Sequence, residues 1–113
     1  MSEPLRLRTV VEGRTVHLTV SGELTYATAP LFQGHVAQVL APSRPFLVVD
    51  LEGVTFSDSV GLSALIGARR RAGTVGGDVT LCGVRGPLRR CLQITGADTL
   101  FTIDASDARE AQA

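Results

Sequence analysis

Three small polar residues, Ser57, Asp58 and Ser59, lie in the segment VTFSDSVGLSALIG, between an apolar stretch and one with helical periodicity. Side-chain oxygens at a helix start accept a backbone N–H bond, which stabilises a helix by ~1 kcal/mol. A serine there can also be phosphorylated, which adds about −1.5 to −2 charges. A helix N-terminus tolerates an anion and stabilises it by ~0.3–1 kcal/mol. The segment therefore predicts either a simple cap or a cap beside a modifiable hydroxyl.

Catalytic motifs are missing from the rest of the sequence. It contains no GxSxG nucleophile elbow, no GxxxxGK[ST] phosphate loop and no HExxH motif. The segment GTVGG follows a predicted helix, whereas a phosphate loop precedes one, so we interpret it as a turn. His17 and His35 are distant in sequence and have no carboxylate cluster beside them. We expect no enzymatic activity, no cofactor and no metal.

The composition is that of a small globular protein. The 113 residues suit one domain, spanning 1–113 with a core from about 5 to 110. Eleven basic residues balance eleven acidic ones, which argues against nucleic acid or an anionic membrane as the main partner. No signal peptide or membrane-length apolar run is present, so we expect a cytoplasmic protein with no membrane insertion and with reduced thiols.

The N-terminal half predicts a hairpin, a helix and a buried strand. Residues 5–11 and 15–22 alternate apolar and polar residues around a turn at Glu12–Arg14. Apolar residues then follow a helical period at Ala29, Phe32, Val36, Val39 and Leu40. The continuous apolar run FLVVDL, residues 46–51, predicts a central strand covered on both faces.

The C-terminal half alternates helices with strands. A helix is predicted from about Val60 to Ala72, followed by a strand in GGDVTLCGV, a helix in GPLRRCLQITG, a strand in TLFTI and a terminal helix in DASDAREAQA. The order β-β-α-β-α-β-α-β-α predicts an α/β fold, with a mixed sheet that combines an antiparallel hairpin and parallel strands. Ser59 would then follow a strand at the carboxyl edge of the sheet, where ligands and partners of such sheets bind.

Three segments together resemble the STAS domain family, and within it the stand-alone bacterial anti-sigma factor antagonists. They are GELTYATAP, FLVVDLEGVTFSDSVGLSALIGARRRA and GGDVTLCGVRGPLRRCLQITGADTLFTI. The most specific part is the D-S-[ST]-G-L motif after a hydrophobic strand, which here reads Asp58-Ser59-Val60-Gly61-Leu62. The resemblance implies a STAS-like single domain with about four helices.

The resemblance also implies a phosphorylation switch. The first serine of the D-S-[ST]-G-L motif, here Ser59, would be phosphorylated by an anti-sigma factor that is also a serine kinase. A PP2C-type phosphatase would restore the unphosphorylated form. Binding of the unphosphorylated chain to the anti-sigma factor would release a sigma factor. The partner-binding residues implied are Glu23, Thr25, Asp58, Ser59, Val60, Gly61 and Leu62, with Gly61 allowing a close approach at the helix start.

Two positions depart from the family pattern. Val60 replaces the frequent Ser or Thr of the motif, which leaves the phosphoacceptor in place. Thr25 replaces the aspartate of the early G-E-[LI]-D motif, in a loop expected near Ser59. An alternative hypothesis is a stand-alone STAS scaffold subunit of a signalling assembly or of a membrane transporter, without a phosphorylation switch. A small-ligand carrier or an enzyme at the same sheet edge is the least favoured alternative.

Overall fold

The computed structural model describes residues 3–104. These residues form five strands, three α-helices and one 3-10 helix. In chain order they are β1 (Arg6–Glu12), β2 (Thr15–Leu24), α1 (Ala29–Val39), β3 (Phe46–Ser57), α2 (Ser59–Thr74), β4 (Val79–Cys82), α3 (Gly86–Thr95), the 3-10 helix (Ala97–Leu100) and β5 (Thr102–Ile103). The predicted α/β class and the order of elements are confirmed over this range.

The strands form one mixed sheet in the order β1-β2-β3-β4-β5. β1 and β2 pair antiparallel around the predicted turn, with Glu12 opposite Thr15. The other neighbouring strands are parallel. Because parallel strands end at the same edge, the last residues of β2 and β3 lie side by side, with Leu24 paired to Ser57. This edge of the sheet carries the Ser57–Ser59 segment.

The core lies on one face of the sheet. Every second residue of β2 is buried, from Val16 to Leu24, as alternation requires of a strand with one covered face. Helices α1 and α2 contact each other and this sheet, and α1 contributes the fully buried Phe32 and Val36. The expectation that residues 46–51 are covered on both faces is wrong: Leu47, Val49 and Leu51 are buried, while the alternate residues are exposed or half-buried.

β3 and β5 differ from the prediction in their bounds. β3 continues to Ser57 and remains paired with β2 beyond Asp50, with two shifts in the register of the pairing. The predicted strand over residues 99–103 is reduced to Thr102–Ile103, because Thr99 and Leu100 belong to the 3-10 helix. The predicted terminal helix falls on residues 104–113, almost all of which lie outside the described residues. No helix within residues 3–104 has the length and apolar character needed to cross a membrane.

Candidate functional site

Asp58 is the residue that caps α2. Its backbone is extended, and its Oδ1 accepts a hydrogen bond from the Gly61 N–H at 2.8 Å. The cap satisfies one of the N–H groups that a helix start leaves without an intrahelical partner. Ser59 is the first residue of α2 and is exposed. The cap and the candidate phosphoacceptor are therefore different residues, so modifying the Ser59 hydroxyl does not remove the cap.

The Asp58 carboxylate also links two loops. Its Oδ2 accepts a hydrogen bond from the backbone N–H of Tyr26 at 3.0 Å, in the segment between β2 and α1. The N–H groups of Gly61 and then Tyr26 hold the pKa of Asp58 below its ordinary value, because both stabilise the charged form. Asp58 is thus an anion at neutral pH, and a phosphate on Ser59 would add charge beside it.

Gly61 fixes the distance between α2 and the end of β2. A Cβ atom at this position would lie 1.9 Å from the Leu24 carbonyl oxygen and 2.6 Å from the Ser57 Oγ. Real Cβ atoms essentially never approach another atom within 3.0 Å. Only glycine therefore lets the first turn of α2 pack this closely on the end of β2.

Thr25 has a structural role in the loop before α1. Its side chain is only 7% exposed, and its Oγ1 accepts a hydrogen bond from the Ala27 N–H at 3.3 Å. Its backbone N–H donates to the Thr28 Oγ1 at 2.9 Å. The buried hydroxyl stabilises this turn, and it is the neighbouring residue Tyr26 that faces outward. Glu23 is half-buried at the end of β2, paired in register with Phe56.

Exposed apolar side chains lie in the segments next to Asp58 and in the loop that is bonded to it. The exposed fractions are 74% for Tyr26, 57% for Phe56 and 45% for Val60. Val60 follows Ser59 directly, Phe56 precedes it by three residues, and Tyr26 is tied to Asp58. Tyr26 and Phe56 are not among the residues predicted from the sequence, although each is the one aromatic residue of its segment, ELTYATA and VTFSDS. Leu62, by contrast, is 8% exposed and lies beneath this surface.

The two histidines make their contacts with residues of β1. His17 lies 3.4 Å from the Glu12 carboxylate at the start of β2, and the His35 ring bonds to the Thr9 hydroxyl. Both imidazoles are thus engaged away from Ser59, which has no histidine base of the kind that activates a serine nucleophile. Over the described part of the chain, no group of three His, Cys, Asp or Glu residues is placed to hold a metal ion.

Comparison with known proteins gives concordant matches. The STAS domain family model matches residues 6–109. An anti-sigma-B factor antagonist from Staphylococcus aureus is 27% identical over 104 residues, covering 88% of this chain and 93% of that protein. An anti-sigma factor antagonist structure from Mycobacterium paratuberculosis is 33% identical with a TM-score of 0.79, covering 98% of this chain and 97% of the other.

A third match concerns a modified protein. The structure of the Bacillus cell fate determinant SpoIIAA in its phosphorylated form has a TM-score of 0.67 at 19% identity, covering 96% of this chain and 98% of that one. At this identity the match shows a shared fold.

Proposed function

The chain belongs to the STAS domain family, and we propose that it is an anti-sigma factor antagonist switched by phosphorylation at Ser59. The unphosphorylated chain binds an anti-sigma factor with serine kinase activity and thereby releases a sigma factor. Phosphorylation of Ser59 ends the binding, and a PP2C-type phosphatase restores it. The chain itself is a binding module without catalysis, and the kinase brings the ATP and magnesium.

One observation carries this proposal. An exposed serine, Ser59, lies at the start of α2, between the exposed Val60 and the Asp58 carboxylate, which binds the backbone of the exposed Tyr26. Apolar surface of this kind favours association with a partner. The match to proteins named as anti-sigma factor antagonists gives the class of that partner, and a protein of the same fold is known in a phosphorylated form.

The charge of a phosphate explains how the switch works without refolding. Phosphorylation adds about −1.5 to −2 charges next to the Asp58 carboxylate, which caps α2 without using the Ser59 hydroxyl. Carboxylates that a partner presents to this surface are then repelled by the phosphate. Apolar groups of a partner would have to displace the water that the phosphate holds. One like-charge contact at about 4 Å costs up to ~4 kcal/mol at an effective dielectric of about 20. A screened third of that energy lowers affinity about tenfold.

The proposal is tested by binding of purified serine-kinase anti-sigma factors to the wild-type chain and to two aspartate variants. Ser59→Asp should weaken binding about tenfold or more. Ser43→Asp, an exposed serine in the turn that precedes β3 at the opposite end of that strand, adds the same charge and should bind within about twofold of wild type. Equal binding by Ser59→Asp and wild type would refute the switch and favour the scaffold alternative.

A further inference from the structure

β1 forms one edge of the sheet. It pairs with β2 on one side, and within residues 3–104 no other strand pairs with its second side. Its seven residues keep an unbroken antiparallel register with β2, and its sequence RLRTVVE contains neither proline nor lysine. Proteins commonly protect an edge strand with such residues, with a bulge or with a short strand. β1 is therefore a regular edge whose outer backbone groups can pair with another strand.

The backbone groups of every second residue of β1 point away from β2. The hairpin turn has Gly13, with a φ of +63°, at its first central position, which is typical of a type II′ turn. The residues that flank such a turn, Glu12 and Thr15, form a hydrogen-bonded pair, so Glu12 is directed toward β2. Counting back from it, the residues directed outward are Leu7, Thr9 and Val11.

The sequence of β1 complements a second copy of itself. In an antiparallel pair with a two-fold axis at Thr9, all the outward-directed residues meet each other: Thr9 opposes Thr9, and Leu7 opposes Val11. On the other face of the sheet, the exposed Arg6 of each copy opposes the exposed Glu12 of the other. Opposite charges at such positions stabilise a strand pair. This full-length register uses all seven residues of β1 and forms two ion pairs.

Neighbouring registers lack this complementarity. Residues that oppose each other share a face of the sheet, so the axis passes through a residue. With the axis at Arg8, two copies of that arginine face each other. With the axis at Val10, the pairing shortens to residues 8–12 and Arg6 faces Arg14 in the turn. Like charges directly opposite each other destabilise a strand pair, so the charges of β1 favour the full-length register.

A groove beside β1 offers space for an apolar side chain of the second copy. It has a volume of about 400 Å³ and is lined by Leu5, Leu7 and residues of α1 that include Leu31. No residue of β2 lines it, so it lies toward the unpaired side of β1. In the full-length register, Val11 of the second copy opposes Leu7 on the face that α1 covers. Val11 and Leu31, exposed by 53% and 58% in the single chain, then lie at the contact.

We propose that two copies of this chain associate through β1, antiparallel about Thr9, and join their sheets into one. The contact is isologous, because the same strand serves both copies. Its small size, one pair of short strands with the adjoining grooves, makes the association depend on protein concentration. Ser59 follows β3 rather than β1, so this inference goes beyond the proposed function and does not depend on it.

Charge reversal tests both the association and its register, with the self-association constant of the purified chain measured by analytical ultracentrifugation. Arg6→Glu alone sets two acidic residues against each other at both ends of the strand pair, and Glu12→Arg alone sets two basic residues there. Each variant should weaken self-association about tenfold, because two contacts change from attraction to repulsion. The exposed Glu52 lies on β3, away from β1. The control Glu52→Arg makes the same charge change as Glu12→Arg and should stay within about twofold of wild type.

Mixing the two variants gives the sharper result. In a mixed pair of Arg6→Glu and Glu12→Arg chains, both contacts again join opposite charges, so the mixture should associate within about threefold of wild type. Recovery in the mixture also shows that both variants are folded. Glu12 lies 3.4 Å from His17 of its own chain, and the mixture does not restore that contact, so recovery reports the contact between copies.

Three results would overturn the inference. They are a wild-type chain that stays monomeric up to about 0.5 mM, single variants that associate as wild type does, and a mixture that associates no better than either variant alone. Each of them leaves the proposed switch at Ser59 standing, because the measurement uses this chain without an anti-sigma factor. Failure of the chain to bind any anti-sigma factor would in turn leave the contact through β1 standing.

Discussion

Replacing Gly61 with alanine should destabilise the domain, although alanine is the better helix former. The new Cβ would lie 1.9 Å from the Leu24 carbonyl oxygen, so the helix start must move by roughly 1.5 Å to reach an ordinary separation. Overpacking of this kind costs about 3 kcal/mol when the obstacle is backbone. Alanine recovers about 1 kcal/mol of helix propensity. The expected net loss is about 2 kcal/mol.

Gly67 on the same helix provides the matched control. A Cβ there would find only the Gln33 Nε2 at 3.8 Å, an ordinary contact. Gly67→Ala should therefore stabilise the domain by up to about 1 kcal/mol through helix propensity.

Thermal unfolding measures both variants. At about 4 °C per kcal/mol for a domain near this size, Gly61→Ala should lower the Tm by about 8 °C, while Gly67→Ala should raise it by about 4 °C. A Gly61→Ala variant as stable as wild type would refute the close packing of α2 on β2. Equal destabilisation of both variants would show that the loss is a general property of α2.

Three further predictions concern the loops and the core. The lowered pKa of Asp58 means that the charged carboxylate stabilises the fold above the ordinary aspartate pKa, and that this stabilisation is lost as the pH falls through the folded-state pKa. In urea unfolding from pH 7 to pH 3, Asp58→Asn should therefore lose less stability than wild type. An equal loss in both proteins would contradict this role of Asp58. Thr25→Val removes the acceptor of the Ala27 N–H bond and should lower the free energy of unfolding in urea by about 1 kcal/mol. An unchanged free energy of unfolding would show that the buried hydroxyl does not stabilise the turn. Phe32→Ala empties a fully buried site and should lower the free energy of unfolding by about 3–5 kcal/mol. The control Leu31→Ala, at a residue that is 58% exposed, should change it by less than about 0.5 kcal/mol. Similar losses in both variants would contradict the assigned core face of α1.

The sheet was predictable because its strands have regular burial. Alternation in β2 and the apolar run at the start of β3 carry a signal that depends only on neighbours in the chain. The second half of β3 lacks that signal, since Glu52, Thr55 and Phe56 are all exposed. The pairing of this half of β3 with β2 depends on contacts between distant segments, and the spacing of apolar residues within one segment does not predict such contacts.

The site was predictable in part for the same reason. The helix start at Ser59 and the glycine two residues later are local features of the sequence. The bond from the Tyr26 N–H to Asp58 joins residues 32 positions apart, and the burial of Thr25 depends on how that loop packs. Neither the bond nor the burial follows from residue type and spacing alone. The exposure of Tyr26 in this loop was therefore identified only from the fold.

Mass spectrometry shows whether the Ser59 hydroxyl, the proposed switch, is phosphorylated. Incubation with a serine-kinase anti-sigma factor and ATP, followed by peptide mapping, should place one phosphate on Ser59 and none on the neighbouring Ser57 or Ser63. Ser59→Ala should abolish the mass increase, and the phosphorylated chain should no longer bind the kinase. A kinase that binds the chain but leaves Ser59 unmodified, or phosphorylates it without loss of binding, would contradict the account.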